Sequence, residues 1–166
     1  GGPHRLPDQR TGMGFARLRL HGAAQWTKTP AIRPGMIGMR RAPRKLTVLA
    51  SLDVAGYSRL VERDERGTLV DLARIRRNVL RPSVGKHSGN LFKTMGDGAL
   101  VEFPSVEDGV EWAIDFQEQM AAFNEMRAGD PIRARLGVAL ADVFVQGEDR
   151  FGAAVGFVVR LQESAP

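Results

Sequence analysis

The stretch FKTMGDGALVEF, residues 92–103, places a charged turn between two short apolar runs. Gly and Asp tolerate the positive φ angles of a tight turn, so Gly96-Asp97-Gly98 predicts the turn of a β-hairpin. We therefore predict strands over residues 90–95 and 99–103. For these residues alone, the simplest interpretation of Asp97 is turn chemistry and nothing more.

The segments on either side of this hairpin predict further strands and helices. Residues 46–52 form an apolar run typical of a buried strand, and residues 64–84 show the three-and-four spacing of an amphipathic helix. Pro82 is an irregularity in that helix, and Gly89 is a plausible helix stop. Ser105 opens a capping-box-like start of a second helix, which runs to about residue 123. Strands over 132–140 and 142–145 and a last helix over 152–163 complete the pattern.

The order of these elements predicts the fold class. From residue 46 to residue 140 the chain reads strand–helix–strand–strand–helix–strand. That order is typical of an α+β, ferredoxin-like (palm-type) antiparallel sheet with helices packed on one face.

This topology brings two distant carboxylates to one end of the sheet. Asp53 ends the first strand, which lies antiparallel to the third strand and therefore beside the turn that holds Asp97. Neighbouring carboxylates repel each other unless a cation compensates them, and Mg²⁺ binds such oxygen ligands together with substrate phosphates. The small residues Ala55 and Gly56 leave room for backbone amides to approach phosphate oxygens. The pair therefore predicts a metal site.

Several motifs resemble the class III adenylate/guanylate cyclase catalytic domain of the bacterial adenylate cyclase type. They are DVAGYSRL at 53–60, ERDERGTL at 62–69, FKTMGDGALVEFPSVEDGVEWAIDFQ at 92–117 and the Gly-rich segment after Asp142. The resemblance runs from about Leu46 to Leu161 and is specific because the first and third motifs occur together. It implies an enzyme that converts ATP to cyclic AMP and pyrophosphate, with two Mg²⁺ or Mn²⁺ ions assisting attack of the 3′-hydroxyl on the α-phosphorus.

The resemblance also implies roles for individual residues. Asp53 and Asp97 match the metal ligands, with the backbone carbonyl of Val54 assisting. Gly56, Tyr57 and Ser58 match the turn that holds the triphosphate. Lys93 matches the position that reads the purine base, and Arg160 matches the arginine that stabilises charge on the reacting phosphate. A donor at Lys93 favours ATP over GTP. Without the resemblance, we would interpret Lys93 as a solvated strand residue. We would interpret the segment Gly56, Tyr57 and Ser58 as a strand-to-helix turn.

In this family the active site forms between two catalytic domains. The resemblance therefore implies a head-to-tail homodimer, or pairing with another cyclase domain. One domain supplies the metal carboxylates, and the other supplies the base-reading and transition-state residues.

The C-terminal part of the sequence departs from the family pattern. Ala153 stands where a second adenine-reading residue usually lies, and Gly156 stands where an asparagine orients the ribose. The family's C-terminal strands would follow Pro166. We therefore expect residues 45–166 to be a cyclase domain that is incomplete at its C-terminus and weak or inactive as it stands.

Two other interpretations stay open on these residues. A catalytically degenerate pseudo-cyclase would bind nucleotide, or dimerise as a regulatory domain, without turnover. A diguanylate cyclase or a polymerase-palm relative would share the sheet and the paired acids. The sequence lacks the Gly-Gly-Asp/Glu-Glu-Phe hairpin of diguanylate cyclases, and Tyr57-Ser58 with Lys93-Thr94 argues against both of these relatives.

The N-terminal residues differ in composition from the rest. Residues 1–45 hold ten Lys or Arg against the single acid Asp8, with five of the nine prolines, whereas the remainder holds 14 basic and 18 acidic residues. We predict that residues 1–44 are a disordered, basic, Pro/Gly-rich arm. A basic arm is also compatible with nucleic-acid binding, which we do not expect here. Met36 and Met39 just precede the patterned region, so we expect much of the arm to be upstream readthrough or a fragment boundary.

The composition also indicates a compartment. The sequence has no cysteine, no signal-peptide pattern and no apolar run approaching the roughly 20 residues that cross a bilayer. We expect a cytoplasmic protein without a membrane span. His4, His21 and His87 lack ligand-like spacing, and we predict no role for them.

Overall fold

The structure, a computed structural model, describes residues 43–166, so nearly all of the predicted basic arm lies outside the described residues. The described strands are β1 (Arg44–Val54), β2 (Asn90–Met95), β3 (Gly98–Phe103), β4 (Ala134–Gln146) and β5 (Asp149–Phe151). The described α-helices are α1 (Tyr57–Arg63), α2 (Glu65–Ile75), α3 (Arg81–Lys86), α4 (Val106–Glu125) and α5 (Ala153–Glu163). A π-helical turn, Arg76–Leu80, joins α2 to α3. None of these helices is long and apolar enough to cross a membrane.

The strands form one antiparallel sheet in the order β2-β3-β1-β4-β5. The central strand β1 pairs with β3 from Val48↔Phe103 to Leu52↔Ala99, and with β4 from Arg44↔Phe144 to Val54↔Ala134. The predicted hairpin is confirmed, with β3 beginning one residue earlier than expected. The predicted α+β, ferredoxin-like topology is confirmed as well.

One face of the sheet carries α2, α3 and α4 and holds the larger core. Alternate residues of β1, among them Val48 and Leu52, are buried there. Trp112 of α4 lies between Phe103 and Phe116, with ring centroids 5.0 and 5.5 Å apart. Its indole N–H donates to the Ser83 hydroxyl at 3.1 Å, so the largest buried side chain has its polar atom satisfied.

The long helix predicted from residue 64 to residue 84 is interrupted in the structure. Its start at Asp64 is confirmed, since that carboxylate accepts from the Gly67 N–H at 2.9 Å and caps α2. Near its end, Pro82 has no N–H, and its ring would clash with the carbonyl four residues earlier in a regular α-helix. The wider π-helical turn avoids this clash, and the Arg81 N–H bonds the Arg76 carbonyl five residues back.

The prediction that the helix stops at Gly89 is wrong, because α3 ends at Lys86. Ser88, with φ of 56°, is the left-handed residue that follows α3. Gly89 is needed for packing instead, because a Cβ there would lie 2.5 Å from a ring carbon of Phe103.

The opposite face of the sheet is covered by α5, whereas the sequence predicted helices on one face. Val158 of α5 is fully buried against a second core cluster that includes Leu49, Leu100 and Val143. The helix lies very close to β4, since a Cβ on Gly137 would lie 2.7 Å from the Val158 carbonyl oxygen. The strands predicted at 132–140 and 142–145 are one continuous strand, β4. Asp142 is exposed and forms an ion pair with Arg44 at 2.6 Å, and the residues on either side of it keep the alternation of buried and exposed side chains.

A buried ion cluster ties three strands together on the α5 face. Glu102 of β3 is only 4% exposed. One of its oxygens, Oε2, accepts from Nη2 and Nε of Arg150 at 2.6 and 3.0 Å, and Lys45 Nζ lies 2.9 Å from Oε1. Burial alone would raise the pKa of Glu102, but the hydrogen bonds from Arg150 and Lys45 outweigh it and lower this pKa to about 2.

We predict that Arg150→Met lowers the free energy of unfolding by about 3 kcal/mol, because it leaves the buried Glu102 charge only partly compensated. Urea unfolding measures the loss, and Arg133→Met, which removes an exposed arginine, is the matched control.

The unmodified chain should also lose stability as the pH falls from 4.5, the ordinary glutamate pKa, towards about 2. The unfolded chain takes up a proton there that folded Glu102 does not bind. An equally steep loss in Glu102→Gln would contradict the assignment.

Candidate active site

The end of β1 and the β2–β3 turn form one site. The Asp97 carboxylate oxygen Oδ2 accepts from the backbone N–H of Val54 at 3.3 Å, across 43 residues of sequence. Asp53 directly precedes Val54, and a Cβ on Gly98 would lie 3.9 Å from the Asp53 Cβ. The structure therefore brings Asp53, Val54 and Asp97 together, as the topology predicted. That they bind a metal stays a prediction.

The electrostatics of Asp97 differ from those of an ordinary turn residue. Partial burial raises the pKa of this carboxyl, and the negative charge of Asp53 raises it further. Backbone hydrogen bonds, including the one from Val54, and the positive charge of Arg76 only partly offset these effects. The Asp97 carboxylate is therefore left with less compensation than it would have in water, and a cation bound beside it would stabilise it.

Arg135 completes the cluster and was missed at the sequence level. It lies directly opposite Asp53 in the β1–β4 pairing. Its Nε and Nη2 donate to the two Asp53 oxygens at 3.0 and 2.7 Å, and this contact raises the pKa of Arg135. From the sequence, Arg135 appeared only as an outward residue of an alternating strand. The signal that identifies it is the strand register, which the alternation does not specify.

The turn after β1 lies next to the two carboxylates. Gly56 has φ of 67° and precedes α1, and its carbonyl accepts from the N–H groups of Arg59 and Leu60. Tyr57 is half-buried and packs against the larger core, whereas Ser58 is exposed. The strand-to-helix turn is thus confirmed as local structure, and its task in holding a triphosphate stays a prediction.

Lys93 and Arg160 lie apart from this cluster. The Lys93 amine is 3.5 Å from Asp149, which pairs with Gln146 at the end of β4 opposite the part that pairs with Asp53. Arg160 is exposed on α5, and its guanidinium lies over Gly156, where a Cβ would be 3.3 Å from Nη1. Within one chain the structure does not unite the two predicted groups of site residues.

The donors at the site suit a hard divalent cation. Within residues 43–166, no cluster of three or more His, Cys, Asp or Glu side chains could hold a metal ion. The Asp53 and Asp97 carboxylates are nevertheless the one or two that Mg²⁺ typically takes when substrate phosphates complete its shell. The residues present therefore fit a cation that arrives with a phosphorylated substrate.

Comparison with curated proteins finds two relatives that are named as adenylate cyclases. The chain is 43% identical over 123 residues to "Putative adenylate cyclase 3" of Rhizobium meliloti (74% of this chain, 21% of the relative). It is 30% identical over 114 residues to "Adenylate cyclase" of Streptomyces coelicolor (69% of this chain, 29% of the relative). The chain thus spans less than a third of the curated relatives it matches. No protein-family model matches the sequence.

Solved structures extend the comparison to the fold. The adenylate/guanylate cyclase/hydrolase of Silicibacter pomeroyi matches with a TM-score of 0.67 and 32% identity, over 73% of this chain and 71% of that one. A non-canonical dimeric guanylyl cyclase domain of the fungus Blastocladiella emersonii, at 16% identity, shares the fold with a TM-score of 0.64 over 75% and 78% of the two chains.

The fold of the described residues is that of nucleotide cyclase domains. The 32% identity to the Silicibacter protein, over 71% of that chain, also identifies the family. The chain belongs to the class III adenylate/guanylate cyclase family.

We predict that Arg135→Met lowers the free energy of unfolding by about 2 kcal/mol, since Asp53 then loses two charge-assisted hydrogen bonds while the negative charge of Asp97 still repels it. Adding Asp53→Asn should recover part of this loss, because the repulsion disappears as well. Urea unfolding of both single variants and the double variant gives the coupling energy. Additive losses would show that the pair contributes nothing, and Arg133→Met controls for the loss of one positive charge.

Proposed function

We propose that this domain converts ATP to cyclic AMP and pyrophosphate as one half of a two-domain active site. The observation that carries the proposal is the convergence of the Asp53 and Asp97 carboxylates beside the turn of small residues after β1. Two carboxylates held together, one of them poorly compensated, suit the binding of a divalent cation with a nucleoside triphosphate.

In the proposed reaction, the ribose 3′-hydroxyl loses its proton to water and its oxygen bonds to the α-phosphorus as the bond from that phosphorus to pyrophosphate breaks. When bound, two Mg²⁺ or Mn²⁺ ions would supply Lewis-acid stabilisation of the charge on the reacting oxygens. Asp53, Asp97 and the Val54 carbonyl would hold them. Gly56, Tyr57 and Ser58 would border the triphosphate, and Arg135 places a further positive charge on this side.

The remaining assignments require a second domain. Lys93 would read the adenine, and Arg160 would stabilise charge on the α-phosphate, both from the partner of the domain that supplies Asp53. In support, Lys93 contacts Asp149 of β5, which pairs with the last residue of β4, whereas Asp53 contacts Arg135 near the first residue of β4. The exposed α5 residues Phe157 (51% exposed) and Leu161 (39% exposed) flank Arg160 and offer an apolar surface to a second copy of this chain. A fungal guanylyl cyclase domain with the same fold has been solved both as a non-canonical dimer and as a monomer.

A second candidate function is a regulatory domain that binds nucleotide without turnover. The observation that favours it is that position 156 is a glycine, and that a Cβ there would lie 3.3 Å from Nη1 of Arg160. Gly156 has no side chain that could orient the ribose, and the Arg160 guanidinium lies back along its own helix. Loss of one such positioned contact costs about a hundredfold in rate.

We predict that the purified chain forms cyclic AMP from ATP and Mn²⁺, and that Asp97→Asn abolishes this activity and weakens metal-dependent ATP binding at least about tenfold. Asn keeps an oxygen that accepts from the Val54 N–H, so the fold should persist while the charge is lost. Calorimetric titration of ATP with and without Mn²⁺ measures binding. Glu148→Gln, in the β4–β5 turn, is the matched charge control.

The outcomes of this experiment separate the two candidates. Metal-dependent ATP binding without product favours the regulatory domain. A metal requirement that is the same in Asp97→Asn would reduce Asp97 to a turn residue and contradict both.

We predict that Lys93→Ala and Asp53→Ala chains, each inactive alone, regain activity when mixed. The measurement is cyclic AMP formation in a Gly156→Asn background, chosen to raise turnover. Random pairing makes half of the dimers mixed, and each mixed dimer keeps one intact site of two, so up to about a quarter of parent turnover should return.

The matched control mixes Asp53→Ala with Asp97→Ala chains. Both residues belong to the same half of the proposed site, so no pairing restores it. If mixed dimers of the Lys93→Ala and Asp53→Ala chains form without any recovery, both residues act within one chain and the two-domain site is wrong.

A further inference from the structure

Arg76 contacts the turn that carries Asp97 from a different element. It is the first residue of the π-helical turn, and its Nη2 donates to the carbonyl of Gly96, the residue before Asp97. Gly96 has φ of 50°, so this carbonyl belongs to a backbone conformation that depends on glycine. The turn is thus bonded on two sides, since the Asp97 side chain accepts from Val54 while the preceding carbonyl accepts from Arg76.

The packing of the surrounding helix explains how Arg76 is held there. Ile75, Val79 and Leu80 are each at least nine-tenths buried and anchor the end of α2 and the π-helical turn in the core. Arg76 and Asp97 border the same small apolar cavity beneath the turn. An irregular helical turn that presents one arginine beside a predicted metal ligand is the kind of π-helical feature found at functional sites.

The contacts of Arg76 differ from those of the neighbouring arginines. Arg74 lies 3.7 Å from Asp71, and Arg77 donates to Asn78 at 3.1 Å, so both interact within their own helical segment. Arg76 instead bonds a backbone carbonyl 20 residues away in the β2–β3 turn. A guanidinium that holds a carbonyl leaves the Asp97 carboxylate available to a ligand, whereas each Asp53 oxygen accepts one bond from Arg135 and keeps one lone pair for a cation.

We propose that Arg76 is a positioning residue that fixes the Gly96-Asp97 turn, so that Asp97 stays beside Asp53 in a geometry able to share a divalent cation. This inference rests on the proposed function, because it requires the two carboxylates to bind that cation.

The charge of Arg76 and its bond to Gly96 predict opposite effects on metal affinity when Arg76 is removed. A positive charge near a cation site repels the cation, so removing the charge alone would tighten metal binding. Removing the bond to Gly96 would free the turn, and the cation would then have to order it on binding. Weaker binding after the loss of Arg76 is therefore a signature of positioning.

The experiment titrates the full chain with Mn²⁺ and measures free Mn²⁺ by electron paramagnetic resonance. We expect Arg76→Met to raise the Kd about tenfold, a typical cost of losing a group that orients a metal ligand. Arg76→Lys, which keeps a donor, should recover part of the affinity. Arg77→Met removes the same charge from the next residue without touching the turn, and should change the Kd less than about twofold.

Further measurements separate the possible failures. Hydrogen exchange at the Gly98 amide should quicken in Arg76→Met and not in Arg77→Met, and thermal unfolding shows whether each variant folds. If Arg76→Met does not fold, Arg76→Ala, which also lacks a donor, replaces it, with the same expected loss of affinity. A Kd that is unchanged or lower would overturn the role of Arg76 if Asp97→Asn still weakens binding. If Asp97→Asn has no effect either, the metal site itself is wrong, and the role of Arg76 fails with it.

Discussion

The register of β1 between its two neighbours is the constraint on which the rest of the structure depends. Leu52 pairs with Ala99 of β3, and Asp53 pairs with Arg135 of β4. Side chains alternate along a strand, so a slip of one residue would move Asp53 to the α4 face and turn Val48 out of the larger core. The burial of the core therefore also fixes the position of the acidic site.

The carboxylates of this protein differ in how fully they are compensated. Glu102 is more deeply buried than Asp97, yet the two cations bonded to it lower its pKa to about 2, and its role is to join strands. Asp97 has a raised pKa beside a second acid, although Arg76 and backbone groups are near it. The fold thus offsets the charge of one acid with two cations and leaves the other less compensated. This contrast separates a structural ion cluster from a candidate catalytic one.

The site is also divided in space. The end of β1 and the β2–β3 turn gather the acids and Arg135, whereas Lys93 turns towards β5 and Arg160 lies on the exposed side of α5. A single domain therefore presents two incomplete surfaces. Pairing of two domains head to tail would make both of them complete, which is the physical basis of the proposed dimer.

The sequence by itself determined the order of the elements, the hairpin around Asp97 and the meeting of that residue with Asp53, because apolar periodicity and turn chemistry are local signals. It did not determine that α5 covers the second face, that β4 is continuous, or that a π-helical turn precedes Pro82. It also missed the contacts of Arg135 with Asp53 and of Arg76 with Gly96. Those features were decided by the tertiary structure, because strand register and the packing of helices on a sheet depend on residues 20 to 82 positions apart, and no local pattern specifies such pairs.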